Sequence, residues 1–306
     1  MVPHDRASVL GKIALDVERA LTLRKKTGAP GRTIPTPLAQ GAGWSVEDVI
    51  CTSGPTDRPF EEQHRWVSVA VVVSGTFEYR ASAGRELMTP GSLLLGNPGQ
   101  FFECGHAHAA GDRCVAFRYA PEWFERLAAE AGVPRGARRF RASRVPPIKD
   151  SAAIVARASV GVSVPARESW EEIAQRVAVA AVGLSAGAPL RPGHPPAGAL
   201  ARTTDSVRRI ERDPAAPWTL NRLAAETALS PFHYLRTFQR VTGVTPHQFI
   251  LRARLRAAAL HLAANHAKVI DVASDAGFQD LSNFNHSFRA EFGVAPRAYR
   301  KAVGRR

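Results

Sequence analysis

Hydrophobic and polar positions follow two different rhythms along this chain. From Trp44 to Tyr119 the period is close to two: VSVAVVVSG (67–75), TFEYR (76–80), SLLLG (92–96) and CVAFRY (114–119) read as short strands. Gly/Pro turns such as SAGRE, TPG and NPG separate them. Short strands with turns at about ten-residue intervals predict a sandwich or small barrel. Elsewhere the period lengthens. Val9, Ile13, Val17 and Leu21, four residues apart, predict a helix over 5–26. A proline- and glycine-rich stretch (28–43) then breaks the pattern. Pro121 opens an amphipathic helix, PEWFERLAAEAG, followed by an arginine-rich connection from Arg135 to Arg144. From Glu168 to about Ser185 an Ala/Val-rich helix carries Trp170, Ile173, Val177 and Ala180 or Ala181 along one stripe, able to pack on the β-rich part or on its copy in a dimer. GAPLRPGHPPAG (187–198) reads as a linker.

The last third repeats itself. Phe238, Gly243 and Pro246 stand fifty positions before Phe288, Gly293 and Pro296, and the same offset stacks Tyr234 on Phe284 and Ser230 on Asp280. Upstream the offset falls to forty-nine, laying LAAETAL (223–229) over VASDAGF (272–278). A repeat whose only length change falls in a turn predicts a duplicated helix-turn-helix. Thr219 and Ser230 are N-cap residues, Pro231 suits a first helical position, and Gly243 suits a stop. Tyr234, Phe238 and Val241 in one copy, and Phe284, Phe288 and Phe292 in the other, form the inward stripes. His233, Arg236 and Arg240 near Phe232, and Ser282, Asn283, Asn285, His286 and Arg289, are left to face outwards. Arg grips guanine O6/N7, Asn grips adenine N6/N7, Ser or His takes either, and Phe232 suits thymine methyl groups. Between the copies T-P-H-Q (245–248) is a capping box opening a helix to about Ala264. Some twenty residues span roughly 30 Å, close to the about 34 Å between successive major-groove faces. Arg252, Arg254, Arg256 and Lys268 on or after that helix suit phosphates or helix-surface pairs.

Charge agrees with a polyanion partner. The net charge is +14 over 306 residues, and 200–306 hold 17 Lys+Arg against 8 Asp+Glu, a net of +9. No apolar run is long enough for a membrane span, and Asp5, Arg6, Lys12, Asp16 and Glu18 interrupt any signal-peptide core. Three cysteines argue for a reducing cytoplasm rather than a disulfide framework.

Gly277 to Arg300 reads GF-x-D-x-S-x-F-x-x-x-F-R-x-x-F-G-x-x-P-x-x-Y-R, which resembles the signature of the AraC/XylS family of bacterial transcription regulators. The first unit fits it less tightly. The resemblance covers about 200–302. It implies a two-unit DNA-binding domain acting on double-stranded promoter DNA, usually as an activator recruiting RNA polymerase. It implies base-facing positions at Phe232, Leu235 and Arg236, and at Ser282, Asn285 and His286; Leu235 and His286 depart from the family's frequent Gln, Ser or Arg.

The front half resembles the cupin-type sensor domain of many such regulators, through ELMTPGSLLLGNPGQ and through His64, where an inward histidine is often placed. Its chemistry concentrates in FECGHAHAAGDRC (102–114). Three readings stand side by side. Cys104, His106, His108 and Cys114, with Glu103 and Asp112 nearby, can form a site for a zinc-like ion, residues 104, 106 and 108 sharing one face of a strand. Cys104 and Cys114 can form a thiol switch. Or these residues line a pocket for an organic effector, or are satisfied in the core. Cys51 reads as a buried strand residue.

A cupin-type metalloenzyme is the rival class, but the spacing after Gly99 does not fit the usual cupin metal motif and Asp112 stands where glutamate is customary. A methyl-accepting DNA-repair protein needs four cysteines. No G-x-S-x-G, Walker or dinucleotide motif is present. The expectation is a non-enzymatic α+β protein: a helix and cupin-like β-barrel (1–120), a helical packing or dimerisation region (121–186), a linker (187–199), and an all-α domain with two helix-turn-helix units joined by a long helix (200–306). It is expected to act as a homodimeric, effector-responsive regulator in the bacterial cytoplasm, associated with the nucleoid.

Overall fold

The computed structural model describes residues 9–82, 84–164, 169–187 and 196–304. Residues 5–8 of the expected first helix and 188–195 of the expected linker lie outside that set. The front half contains α1 (Val9–Thr27), β1 (Thr33–Gly41), β2 (Trp44–Cys51), β3 (Phe60–Gln63), β4 (Val67–Gly75), β5 (Phe77–Ala81), β6 (Gly84–Met88), β7 (Leu93–Gly96), β8 (Phe101–Gly105) and β9 (Asp112–Tyr119). Then come α2 (Pro121–Glu130), β10 (Arg144–Val145), α3 (Ala152–Ser163) and α4 (Trp170–Gly187). The rest is helical: α5 (Ala197–Arg212), α6 (Leu220–Glu226), α7 (Pro231–Thr242), α8 (Pro246–Ala264), α9 (Val269–Asp275), α10 (Leu281–Phe292) and α11 (Pro296–Gly304). Among these, no helix is long and apolar enough to cross a membrane.

The strands form two antiparallel sheets, one ordered β1-β2-β9-β4-β7-β10 and the other β3-β8-β5-β6. The larger sheet is covered on both faces. Val67, Val69 and Val71 of β4, with Val115 and Phe117 of β9, pack under α3 and α4. On the opposite face Val72, Leu94 and Cys114 meet Phe77, Tyr79 and Cys104 of the smaller sheet. This is why VSVAVVVSG is a nearly continuous apolar run instead of a clean alternation.

Two segments differ from the sequence expectation. The stretch 28–43 holds strand β1, which tolerates Pro35 and Pro37 because it is the sheet's edge and shifts register between Pro37 and Ala39. Helix α3 has no amphipathic period to read, since Ile154, Val155, Ala156, Ala158 and Val160 are all buried. Gly161 lets α3 and the Trp170 ring of α4 meet, because a Cβ there would lie 2.6 Å from that ring. The stripe of α4 is spent inside the chain: Ile173, Val177 and Ala181 are buried, and Tyr119 Oη donates to Ala174 O at 2.8 Å.

In the helical half α8 joins two cores. Its Phe249, Ile250 and Ala253 pack with Val207, Leu223, Tyr234 and Phe238. Its Leu255, Ala259 and Leu262 pack with Phe284, Phe288 and Tyr299, in a core continuous with α3 and the larger sheet. The connection 227–230 between α6 and α7 is one residue shorter than 276–280 between α9 and α10, matching the change in repeat offset. Both turns use a left-handed residue, Ala228 at φ 55° and Gly277 at φ 83°.

The halves meet at Arg144, which is buried. Its Nη1 donates to Leu87 O of β6 at 2.8 Å and to Val241 O at the end of α7 at 2.9 Å, while Nη2 pairs with Glu86 at 2.9 Å. Gly243, the left-handed cap of α7, sits so close that an added Cβ would lie 2.6 Å from Pro146. Its twin Gly293 has open space around it. Gly293→Ala should therefore lose only the left-handed backbone preference, about 1–2 kcal/mol. Gly243→Ala should lose that plus about 1–3 kcal/mol of overpacking against Pro146. Urea unfolding of the full chain checks this, and equal losses would contradict the docking of α7 on Pro146.

Candidate nucleic-acid interface and sensor cavity

Helices α7 and α10 are built alike. Ser230 Oγ accepts from His233 N and Pro231 takes the first helical position, while Asp280 accepts from Ser282 N and Asn283 N. Each ends at a left-handed glycine, Gly243 or Gly293. Tyr234, Phe238 and Val241 are buried in α7; Phe284 and Phe288 are buried in α10, with Phe292 half-buried at their edge. What remains is polar and open. Phe232, 68% exposed, has the Arg236 guanidinium over its ring at 5.6 Å, which limits the rotamers of that arginine. His233, Arg236 and Arg240 are exposed and Leu235 is half-buried. On α10, Ser282, Asn283, Asn285, His286 and Arg289 are exposed.

The arginines of α8 are engaged inside the protein rather than offered to phosphates. Arg252 pairs with Glu291 at 3.1 Å, Arg254 donates to Pro214 O and Ala216 O at 2.9 Å, and Arg256 is a buried partner of Glu211. Of the four cations read along that segment, Lys268 is the exposed one.

Between the two sheets lies a cavity of about 410 Å³, lined by Phe60, His64, Phe77, Phe102, Cys104 and Leu94 among others. His64 follows β3, stacks on Phe102 at 4.2 Å, and shares a 2.9 Å hydrogen bond with Tyr79 Oη. Gly96 makes room for it, since a Cβ there would lie 2.2 Å from Nε2. Burial, reinforced by the Arg118 charge, pulls the His64 pKa down to about 4.

The four residues read as a metal cluster are not brought together as a set. Strand β8 ends at Gly105, so the shared strand face expected for 104, 106 and 108 stops before His106. His108 Nε2 lies 3.5 Å from Glu78 Oε1. Cys104 and Cys114 sit on opposite sheets, paired with Tyr79 and Val72 respectively. Both are free, and burial pushes both thiols well up, which opposes the thiolate a redox switch needs. His106 instead joins Cys51 and Asp112, with ligand atoms all within 4.8 Å of one another. His106 Nε2 lies 2.6 Å from Asp112 Oδ2. Burial opposes the charged ring, yet Asp112 and then Cys51 outweigh it and hold the pKa up at about 9. Cys51 carries no local motif in the sequence. Only its pairing opposite Asp112 in the β2–β9 register reveals it.

Residues 223–302 match the family model for a helix-turn-helix domain. The HTH-type transcriptional regulator MtrA of Neisseria gonorrhoeae is 29% identical over 100 residues, 33% of this chain and 33% of that protein. The transcriptional activator NphR of Rhodococcus sp is 38% identical over 90 residues, 28% of this chain and 26% of that protein. The matches thus span about a third or less of these relatives' length. A solved AraC-type regulator from Chromobacterium violaceum is 23% identical with a TM-score of 0.33, covering 36% of this chain and 97% of that chain.

The depressed pKa of His64 has a consequence for stability. The folded chain holds the ring neutral down to about pH 4, whereas an unfolded histidine protonates near 6.5. The unfolded state therefore binds more protons, and stability falls as pH drops from 6.5 towards 4, by roughly 3 kcal/mol. In urea titrations at pH 7 and pH 4, His64→Gln should lose that much less than the parent chain. The same pH dependence in both would contradict a buried neutral His64.

Proposed function

We propose that the chain, which matches a helix-turn-helix domain over residues 223–302 and resembles HTH-type transcriptional regulators over about a third of its length, reads DNA with two helices at once. In this reading α6–α7 and α9–α10 are two helix-turn-helix units, and α7 and α10 enter successive major-groove segments of promoter DNA. Phe232, His233, Leu235, Arg236 and Arg240 serve the first segment; Ser282, Asn283, Asn285, His286 and Arg289 serve the second. The observation that carries it is the twinning of α7 and α10. Each has 12 residues, a side-chain cap, a buried aromatic stripe and an exposed face of hydrogen-bonding groups. Between them α8 has 19 residues, or about 28 Å at 1.5 Å per residue, near the roughly 34 Å between groove faces. Exposed Lys268, Arg297 and Lys301 supply phosphate contacts.

The front half is read as a cupin-like sensor. Its cavity, about 410 Å³, suits a small effector with apolar surface held by aromatic walls and oriented by His64. Arg144 offers the route outward, because it ties β6 to the end of α7. An effector that favours one arrangement of that contact shifts the population competent for DNA. We read the protein as a cytoplasmic, nucleoid-associated homodimer that works with RNA polymerase as an activator, and not as an enzyme. Relatives titled as activators lend weight to the direction of control.

Arg236→Ala should lower affinity for the cognate promoter by about 1–3 kcal/mol while sparing random DNA. Asn285→Ala should do the same at the second segment. Fluorescence anisotropy against both duplexes decides; equal losses on random DNA would reject base reading. Footprinting should protect two adjacent groove segments per chain, and protection of one alone would remove the paired reading.

A further inference from the structure

The triad of Cys51, His106 and Asp112 belongs to neither the DNA-reading surface nor the aromatic wall of the cavity. Its members are 3%, 5% and 5% exposed, so each group must find its partners inside. Cys51 and Asp112 face each other across β2 and β9, while His106 arrives from the end of β8 in the other sheet. The site therefore bridges the two sheets.

Its backbone is fixed before any ligand arrives. Gly111 N donates to Ser53 O at 3.0 Å, and Gly111 at φ 77° packs against Val17 and Leu21 of α1. Gly75 approaches so closely that a Cβ would lie 2.3 Å from Gly111 O. Within this frame one polar atom is left over. His106 Nδ1 is buried with no hydrogen-bond partner among the described residues. Cys114 Sγ lies 3.5 Å from Asp112 Oδ1, placed to orient the carboxylate from outside.

We propose that Cys51, His106 and Asp112 bind one divalent ion of the zinc class, with the fourth coordination position opening onto the cavity between the sheets. Thiolate, imidazole and carboxylate are the donors such an ion takes, and three protein ligands with one open position is a recurrent arrangement. Charge balances, since two anionic ligands and a neutral ring neutralise a dication in a buried setting. Distances are near. Tetrahedral bonds of about 2.0–2.3 Å put donors roughly 3.3–3.8 Å apart; the donors here lie within 4.8 Å of one another, and the His106 Nε2–Asp112 Oδ2 pair, now a 2.6 Å hydrogen bond, opens to admit the ion. Rotamer adjustments of about 1 Å bring them to that spacing. All three ligands line the cavity, which gives the ion its way in and its fourth ligand.

The test uses the full chain, stripped with a chelator and titrated with Co(II) and then Zn(II), with no DNA present. Its failure would thus leave the DNA-reading proposal untouched. One equivalent of Co(II) should bind, with a tetrahedral spectrum and the thiolate charge-transfer intensity of a single sulfur, and Zn(II) should displace it. Asp112→Asn should weaken binding beyond the about 10–100-fold cost of losing an outer-shell partner. Cys51→Ser should abolish the charge-transfer band, while Cys104→Ser and His108→Gln should keep it. Absence of stoichiometric binding, or a band that survives Cys51→Ser, would overturn the site. So would the intensity of two or three sulfurs in the parent chain, which needs no variant to fold.

Discussion

The burial of helix α8 is the constraint on which the helical half depends. A helix that contributes Phe249 and Ala253 to one core and Leu255, Ala259 and Leu262 to the next has little surface left for solvent. Its arginines must then be satisfied within the fold, because an unpaired buried charge costs several kcal/mol. Each of them finds a partner: Arg252 reaches Glu291 of α10 through Nε, although its buried Nη1 is left without a hydrogen bond, Arg256 reaches Glu211 of α5, and Arg254 holds the carbonyls that precede α6. These pairs act as struts. They fix the two helix pairs relative to α8, so the separation of α7 from α10 is set by packing rather than by a flexible joint.

The same reasoning reaches the sheets. α3 and α1 pack on α8, and Arg144 joins β6 to the last turn of α7. A guanidinium that is 4% exposed and spans three acceptors cannot lose one of them cheaply. Movement of β6, one strand of the sheet that closes the cavity, must therefore move α7 or break a buried hydrogen bond. A second tie runs from α5, where Arg208 Nη1 donates to Ala110 O at 3.2 Å, to the loop that carries His106. One contact joins strand β6 to α7, and the other joins the 106–111 loop to α5. The cavity is thus linked to α7 and α5 by a few polar contacts embedded in a large apolar seam, an arrangement able to hold two discrete packings.

What could be read from the chain alone was whatever depends on local chemistry. The caps at Ser230, Asp280 and Thr245, the glycine stops and the buried aromatic stripes are written within a few residues of where they act. The long-range features were not legible in the same way. Pro35 and Pro37 look like strand breakers until β1 is known to be an edge. Helix α3 has no clear face to detect because eight of its twelve residues are buried around most of its circumference. Of the two roles left open for Arg252, Arg254 and Arg256, pairing within the protein is the one seen, and the sequence could not choose it because Glu291, Pro214, Ala216 and Glu211 lie far off along the chain. The Cys/His run was only partly legible for a related reason: its even spacing suggests a shared strand face, but the strand stops at Gly105, and the group that does converge joins His106 to Asp112 and to Cys51, sixty-one positions before Asp112.

These struts also bear on how such a protein meets a duplex. With the α8 arginines turned inward, the middle of the rod offers no free guanidinium to a phosphate. The net +9 of residues 200–306 must act through exposed cations on either side of α8, such as Arg236 and Arg240 on α7 and Lys268, Arg289, Arg297 and Lys301 beyond it. If α7 and α10 read successive groove segments as proposed, attraction concentrates at two places about one helical turn apart, and the stretch between them is held only at its ends. If the span of about 28 Å along α8 is shorter than the roughly 34 Å groove repeat, a rigid protein leaves the duplex to make up the difference by bending. Sequence between the two contacted segments then matters through its deformability, at positions no side chain touches.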